Sequence, residues 1–320
     1  MKNQTIKKVP VLLLFILFLA GCKKERRVDI EDNKIYRLER QELNISYGNH
    51  ALQKMDIYFP EDFNANTPVV FVIHGGGFIA GTKEDFTDRA KLFMARGFVT
   101  VNISHRLVDA TGLDQTPPPR INSAVKVTDE VDDIAAAVEK YKTIAAGYGS
   151  GISKMYMAGH SAGGTLAMLY VQSDKNLNKQ VRASGNLAGL TNVTLSQALY
   201  DNPPFHELWP SIKELLHRMS GAEPVKENAL YLMAISPNWV SSLNSPGMPN
   251  ITVMSDTNDD DLRFAPHFST IEDARQYHLQ LRSKNVPSEL VMMNTDHGFG
   301  RHPGDWEKAI KYTTDFFRQH

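Results

Sequence analysis

Residues 155–164 read Met155-Tyr156-Met157-Ala158-Gly159-His160-Ser161-Ala162-Gly163-Gly164. A short apolar run ends in a serine held between a histidine and small residues. A strand that breaks sharply into a helix lifts such a serine hydroxyl clear of the backbone, where a base can reach it. The pattern G-x-S-x-G also arises by chance in roughly one chain in ten of this length. Its meaning therefore rests on what surrounds it.

The 320 residues carry 42% hydrophobic and 22% charged side chains, the balance of a globular protein. A formal net charge of −1 gives no basic surface for nucleic acid. From Leu43, the segments Leu43–Tyr47 and Met55–Phe59 alternate around a Gly48-Asn49 turn and predict an antiparallel hairpin. Then Val69–Ile73 and Phe98–Ile103 are apolar throughout, as expected of strands covered on both faces. Helical patterns follow at Phe86–Arg96, Val131–Ala146, Thr165–Gln172, Ile271–Arg282 and Trp306–Arg318, with strands at Asn250–Met254 and Glu289–Met293. This alternation predicts an α/β fold: a mostly parallel central sheet with helices on both faces and the ligand site at the carboxyl ends of the strands. The span 191–243, rich in Pro, Asn and aromatics, fits the alternation poorly and is expected to form a cap insertion.

A serine needs a base, the base needs an orienting group, and the developing oxyanion needs donors already in place. His74-Gly75-Gly76-Gly77-Phe78 directly follows the Val69–Ile73 strand, and glycines let backbone N–H groups approach a substrate closely. Of the histidines beyond the acidic cluster 256–261, His278 falls in a helix, His320 is terminal and His267 precedes a helix. His297 stands in Asp296-His297-Gly298-Phe299, just past the last strand, and is the candidate base. The acid is sought in Ser255-Asp256-Thr257-Asn258-Asp259-Asp260-Asp261, which follows the Asn250–Met254 strand. A calcium loop starting at Asp256 fails, because Asp261 stands where glycine is needed and His267 where glutamate is needed. No metal site is expected.

Together these elements resemble the α/β-hydrolases, in the hormone-sensitive-lipase-like and feruloyl-esterase-like carboxylesterase branch. The resemblance is carried by Tyr47-Gly48, Gln53–Tyr58, His74–Lys83, Gly159–Gly164 and His297–Phe299, and spans most of the chain. It implies cofactor-free hydrolysis of carboxylic esters, with Ser161 as nucleophile, His297 as base, and the N–H groups of Gly76, Gly77 and Ala162 as the oxyanion hole. Matching Ser255–Asp259 to the usual His-Gly-Thr-x-Asp assigns the acid to Asp259. A rival register, matching Asp260-Asp261-Leu262 to Asp-Pro-Leu, assigns it to Asp260. Departures from the family pattern are Ser104-His105-Arg106-Leu107, where Asn-Tyr-Arg-Leu is usual, a Pro117-Pro118-Pro119 insertion, and extra residues 263–270 after the acid loop.

The amino-terminal end reads differently. Lys2, Lys7 and Lys8 precede an apolar run from Val9 to Ala20 that ends in Leu19-Ala20-Gly21-Cys22. This has the layout of a secretory signal, too short to span a bilayer comfortably. Leu-Ala-Gly-Cys resembles the lipobox of bacterial lipoproteins, which implies lipidation of Cys22, the chain's one cysteine. The expected organisation is a signal peptide over 1–21, a tether over 22–42 and a hydrolase domain over 43–320, exported and anchored at a periplasmic or cell-surface membrane face. Three functions compete on this scaffold. A carboxylesterase, deacylating acetylated or feruloylated carbohydrates by analogy, leads. An amidase or formamidase shares the same core, and a non-catalytic glycan- or partner-binding lipoprotein is the contrasting class.

Overall fold

The computed structural model describes residues 34–192, 209–224, 236–243, 247–256 and 271–320. Cys22, the apolar run before it, most of the tether, Asp259, Asp260, Asp261 and part of the 191–243 span lie outside these residues.

Eight strands form one sheet in the order β1-β2-β4-β3-β5-β6-β7-β8. They are β1 (Leu38–Ser46), β2 (Lys54–Pro60), β3 (Val69–Ile73), β4 (Val99–Ile103), β5 (Met155–His160), β6 (Val181–Leu187), β7 (Asn250–Ser255) and β8 (Ser288–Met293). β2 pairs antiparallel with both β1 and β4, and every other pairing is parallel. Among the described residues, the α-helices are α1 (Thr87–Ala95), α2 (Val127–Ile144), α3 (Ala162–Gln172), α4 (Trp209–Ser220), α5 (Pro237–Leu243), α6 (Ile271–Ser283) and α7 (Asp305–Gln319).

The unbroken apolar runs have the predicted cause. In β3 the side chains of Val69, Phe71 and Ile73 enter the core shared with α2 and α3, against Ile134, Val138 and Leu166. Val70 and Val72 enter the opposite core with α1 and α7, against Ala90, Phe93, Ile310 and Phe317. Each such side chain taken fully from water contributes roughly 1.5–3 kcal/mol. In α7, Ala309, Ile310, Thr313, Thr314, Phe316 and Phe317 recur at helical spacing and are buried.

The structure adds two stretches of strand to the expected pattern. β1 begins at Leu38, ahead of the expected Leu43, and the N–H of Tyr36 already donates to Ala95 O at 2.9 Å. Leu38-Glu39-Arg40-Gln41-Glu42 lies almost wholly exposed on the sheet edge, so it lacks the alternation that marks a half-buried strand. β6, Val181-Arg182-Ala183-Ser184-Gly185-Asn186-Leu187, carries too little apolar character to be read as a buried strand. Its polar groups are satisfied on folding: Ser184 Oγ donates to Asn250 Oδ1 of β7 at 2.8 Å, and Asn186 Oδ1 accepts the N–H of Gly189, in the loop after β6, at 2.7 Å.

The 191–243 span contributes α4 and α5 between β6 and β7. α4 docks the Pro-rich insertion through Arg218, which is completely buried. Its guanidinium donates to the carbonyls of Asp109, Thr111 and Pro119 at 3.0, 2.8 and 2.8 Å, and to Glu214 Oε1 at 2.8 Å. Glu214 Oε1 also accepts the Ile121 N–H at 2.8 Å.

Candidate active site

The expected site residues that the structure describes converge at the carboxyl ends of β3, β5 and β8. Ser161 follows β5 directly and starts α3, with φ 53° and ψ −124°. A non-glycine residue there is strained by about 1–3 kcal/mol. Its N–H donates to Leu187 O in β6 at 2.8 Å, and its carbonyl accepts Gly164 N–H at 2.9 Å. A Cβ on Gly159 would lie 2.2 Å from Gly163 O, so the turn closes only with glycine at that point.

His297 lies past β8 and points its Nε2 at Ser161 Oγ, 3.0 Å away across 136 residues of sequence. The Ser161 hydroxyl donates to this nitrogen when the His297 proton sits on Nδ1. The loop carrying His297 is held on several sides. Ser255 Oγ donates to Thr295 O at 2.7 Å, Thr295 Oγ1 donates to Asp305 Oδ2 at 2.6 Å, and Gly300 N–H donates to Asp296 Oδ1 at 2.8 Å.

The glycine loop passes directly over the serine: a Cβ on Gly75 would come within 3.2 Å of Ser161 Cβ. His74 Nδ1–H donates to Gly75 O at 2.7 Å, and Gly76 O accepts the N–H groups of Ile79 and Ala80 at 3.2 and 3.0 Å. In a trans peptide the N–H points opposite to the C=O. Fixing the Gly75 and Gly76 carbonyls therefore turns the N–H groups of Gly76 and Gly77 to the other side of the loop. Gly76 has φ 121°, which effectively only glycine adopts. Ala162 is the first residue of α3, so its N–H has no acceptor one turn back. The three expected oxyanion donors thus belong to the two segments that meet at Ser161.

Beneath this loop is a set of groups that motif reading alone left without roles. The His74 and His105 rings stack at 4.5 Å with 3° between their planes. Burial holds His105 down at about 3, with the neighbouring His74 adding to the effect, and burial also lowers His74. Glu130, 3.9 Å from His105, is pushed well above the usual carboxylate range by burial. Tyr47 OH donates to Ser104 O at 2.5 Å, and Gln53 Nε2 donates to Asp133 Oδ1 at 2.7 Å. Arg106 clasps Asp133 with Nη2 at 2.6 Å from Oδ1 and Nε at 2.9 Å from Oδ2. Lys83 and Asp56 form a buried pair at 3.1 Å, and Asn102 Nδ2 donates to Lys83 O at 2.7 Å. The signal for these contacts was present in the Gln53–Tyr58 and His74–Lys83 motifs, but sequence spacing does not say which partner each side chain takes. Asp256, the described acid candidate, directly follows β7 and is exposed to solvent.

The neutral histidines set a pH dependence. In the unfolded chain they take a proton near 6.5, whereas folded His105 and His160 resist protonation down to about 3 and about 4. Below about 6.5 the unfolded state binds more protons, so the stability these groups contribute is full above that pH and is lost as it falls toward 4. Glu130 acts in the opposite sense, so the measurement is a comparison. In urea titrations between pH 6.5 and 4, His105→Phe, which keeps a ring on His74, should lose less stability than the wild type. Equal losses would show that His105 is not held neutral.

Solved structures with this fold include a truncated carbohydrate esterase from gut microbiota, with TM-score 0.64 and 15% identity over 90% of this chain and 97% of that one. The butyrate-bound esterase Est2 of Thermogutta terrifontis aligns with TM-score 0.62 and 21% identity, covering 86% of this chain and 93% of that one. At these identities the likeness establishes the α/β-hydrolase fold. Among curated proteins, kynurenine formamidase of Salmo salar is 26% identical over 51% of this chain and 50% of its own length. The Oryza sativa subsp. japonica protein named "Probable isoprenylcysteine alpha-carbonyl methylesterase ICME" is 27% identical over 72% of this chain and 53% of its own. The chain spans about half the length of these curated relatives. The BD-FAE family model matches residues 55–242, from β2 through the glycine loop and the serine turn to α5, and the chain belongs to that family.

Proposed function

We propose that this protein is a serine carboxylic-ester hydrolase. One observation carries the reading: the 3.0 Å contact between Ser161 Oγ and His297 Nε2, at a strained turn beneath a glycine loop. In the reaction His297 Nε2 takes the Ser161 proton as Oγ attacks the ester carbonyl carbon. The carbonyl oxygen gains the negative charge and is met by the N–H groups of Gly76, Gly77 and Ala162. Collapse of this intermediate expels the alcohol, which receives the proton from His297 and leaves an acyl-serine. Water, deprotonated by the same nitrogen, attacks the acyl carbon; the acyl–Oγ bond breaks, the carboxylic acid leaves, and His297 returns the proton to Ser161 Oγ. Each step uses groups of this chain alone, so the reading needs no cofactor and no metal.

The carbohydrate esterase from gut microbiota among the fold neighbours supports acylated sugars as the first substrates to try. The formamidase relatives support a second reading, hydrolysis of a formamide by the same residues. Turnover of p-nitrophenyl acetate, acetylated and feruloylated sugars, and N-formyl arylamines by the purified domain separates the two. Ser161→Ala should cost about 10⁶ in kcat on the preferred substrate. A variant keeping a tenth of wild-type turnover would remove Ser161 as nucleophile, and a wild type inert on every substrate would favour the binding-only reading.

Asp259 is our choice as the acid that holds the His297 tautomer. Asp259→Asn should then lose about 10⁴ in kcat, with Asp260→Asn close to wild type at neutral pH. The reverse pattern would transfer the role to Asp260. We also assign residues 191–243 to a cap over the site, and Cys22 to a lipid anchor outside the cytoplasm. The basis for the anchor is the lysine-flanked apolar run ending at the chain's one cysteine. A diacyl anchor holds a protein firmly where one acyl chain does not. Cys22→Ser should therefore shift the protein from the membrane to the soluble fraction, and wild-type retention on the membrane would contradict the assignment.

A further inference from the structure

The residue preceding the nucleophile has a contact that the hydrolytic scheme does not use. His160, the last residue of β5, places its Nε2 2.8 Å from the backbone carbonyl oxygen of His297. A carbonyl only accepts, so Nε2 carries the proton and donates it. The His160 ring sits in an aromatic enclosure, 5.1 Å from the His297 ring, 6.0 Å from Phe299 and 5.2 Å from Trp306, between centroids. Trp306 is covered in turn by Phe86, at 5.8 Å, and by the Arg89 guanidinium, 5.3 Å from its ring centre.

We infer that His160 is a positioning residue for the base: it ties the strand that ends in Ser161 to the loop that carries His297, and so sets the distance between their reacting atoms. The inference rests on the serine-hydrolase reading. Its physical content is a short closed circuit. Ser161 Oγ and His297 Nε2 meet at 3.0 Å, while the neighbouring His160 side chain grips the His297 main chain at 2.8 Å. Two adjacent residues of one strand end thus hold both the ring and the backbone of the base. Contacts through Ser255, Asp296 and Asp305 hold the His297 loop to β7, to itself and to α7.

A group with this task must not compete for charge with the base it holds. His297 becomes an imidazolium in each half-reaction, and a second imidazolium 5.1 Å away would oppose that step. Burial, then the adjacent His297, keep His160 down at about 4. Of the charged groups acting on it, Arg89 on α1 lowers it further, whereas Asp296, on the same loop as His297, acts the other way.

The test compares wild type, His160→Leu and His160→Gln, whose side-chain amide can supply the same N–H. His160→Leu should lower kcat by about 10²-fold with KM little changed, because misplacing a catalytic group by about 1 Å costs that much. His160→Gln should recover most of the loss. Histidine imidazole ¹⁵N NMR of the wild type and of Ser161→Ala gives an independent readout that does not depend on turnover or on the folding of the Leu variant. His160 should appear as a neutral Nε2–H ring across the active pH range. A His160→Leu enzyme as fast as wild type would overturn the inference. A Gln variant no better than Leu would do the same, as would a His160 ring that is protonated where the enzyme is active. A wild type with no hydrolase activity would sink the parent reading and this inference with it, whereas an active wild type confines any failure to His160.

Discussion

The backbone of Ser161, held at φ 53° and ψ −124°, is the constraint on which the remaining site geometry depends. A serine relaxing into ordinary helical or extended angles would carry its hydroxyl away from His297 and its neighbour's N–H away from the glycine loop. The strain, about 1–3 kcal/mol, is sustained by what flanks the turn. α3 is buried along its whole length, and β5 is buried until its last residue. The Ser161 N–H is anchored to Leu187 in β6. The turn cannot relax without pulling a central strand or a buried helix out of register.

A second layer of order sits under the glycine loop and is polar rather than apolar. Tyr47, Gln53 and Asp56 come from the amino-terminal hairpin, Lys83 from the end of the glycine loop, Ser104 and Arg106 from the segment after β4, and Asp133 from α2. The antiparallel β2 is therefore more than an extension of the sheet edge. Asp56 on β2 accepts the Lys83 ammonium, and Lys83 is the last residue of the motif that begins at His74. Lys83 Nζ also meets Glu84 Oε1 at 2.5 Å, so two carboxylates hold this buried ammonium. The network specifies where the glycine loop lies relative to Ser161.

Legibility in the sequence followed the physics of each element. Strands buried on both faces, such as Val69–Ile73, announced themselves by composition, and Ser161 and His297 by their position just past strand ends. β6 was hidden because its serine and asparagine find their partners on β7 and in the loop after β6, which only the folded arrangement supplies. The outer half of β1 was hidden because an edge strand with an exposed face need not alternate. The stacked His74–His105 pair and the grip of His160 on His297 O join residues far apart in the chain, or depend on ring orientation. No spacing rule encodes either. The unusual His105 was noticed as a departure from the family pattern, yet its consequence, a flat stack on the first residue of the glycine loop, became visible only in three dimensions.

The central claim is that Ser161 is a nucleophile activated by His297. Its most direct test is covalent capture. The wild type is incubated with a fluorophosphonate, digested, and the adduct located by mass spectrometry. A single phosphonyl group on the Ser161 hydroxyl is the predicted result, formed far more slowly in His297→Ala. An adduct on a different residue, or no adduct on a folded wild-type chain, would contradict the account.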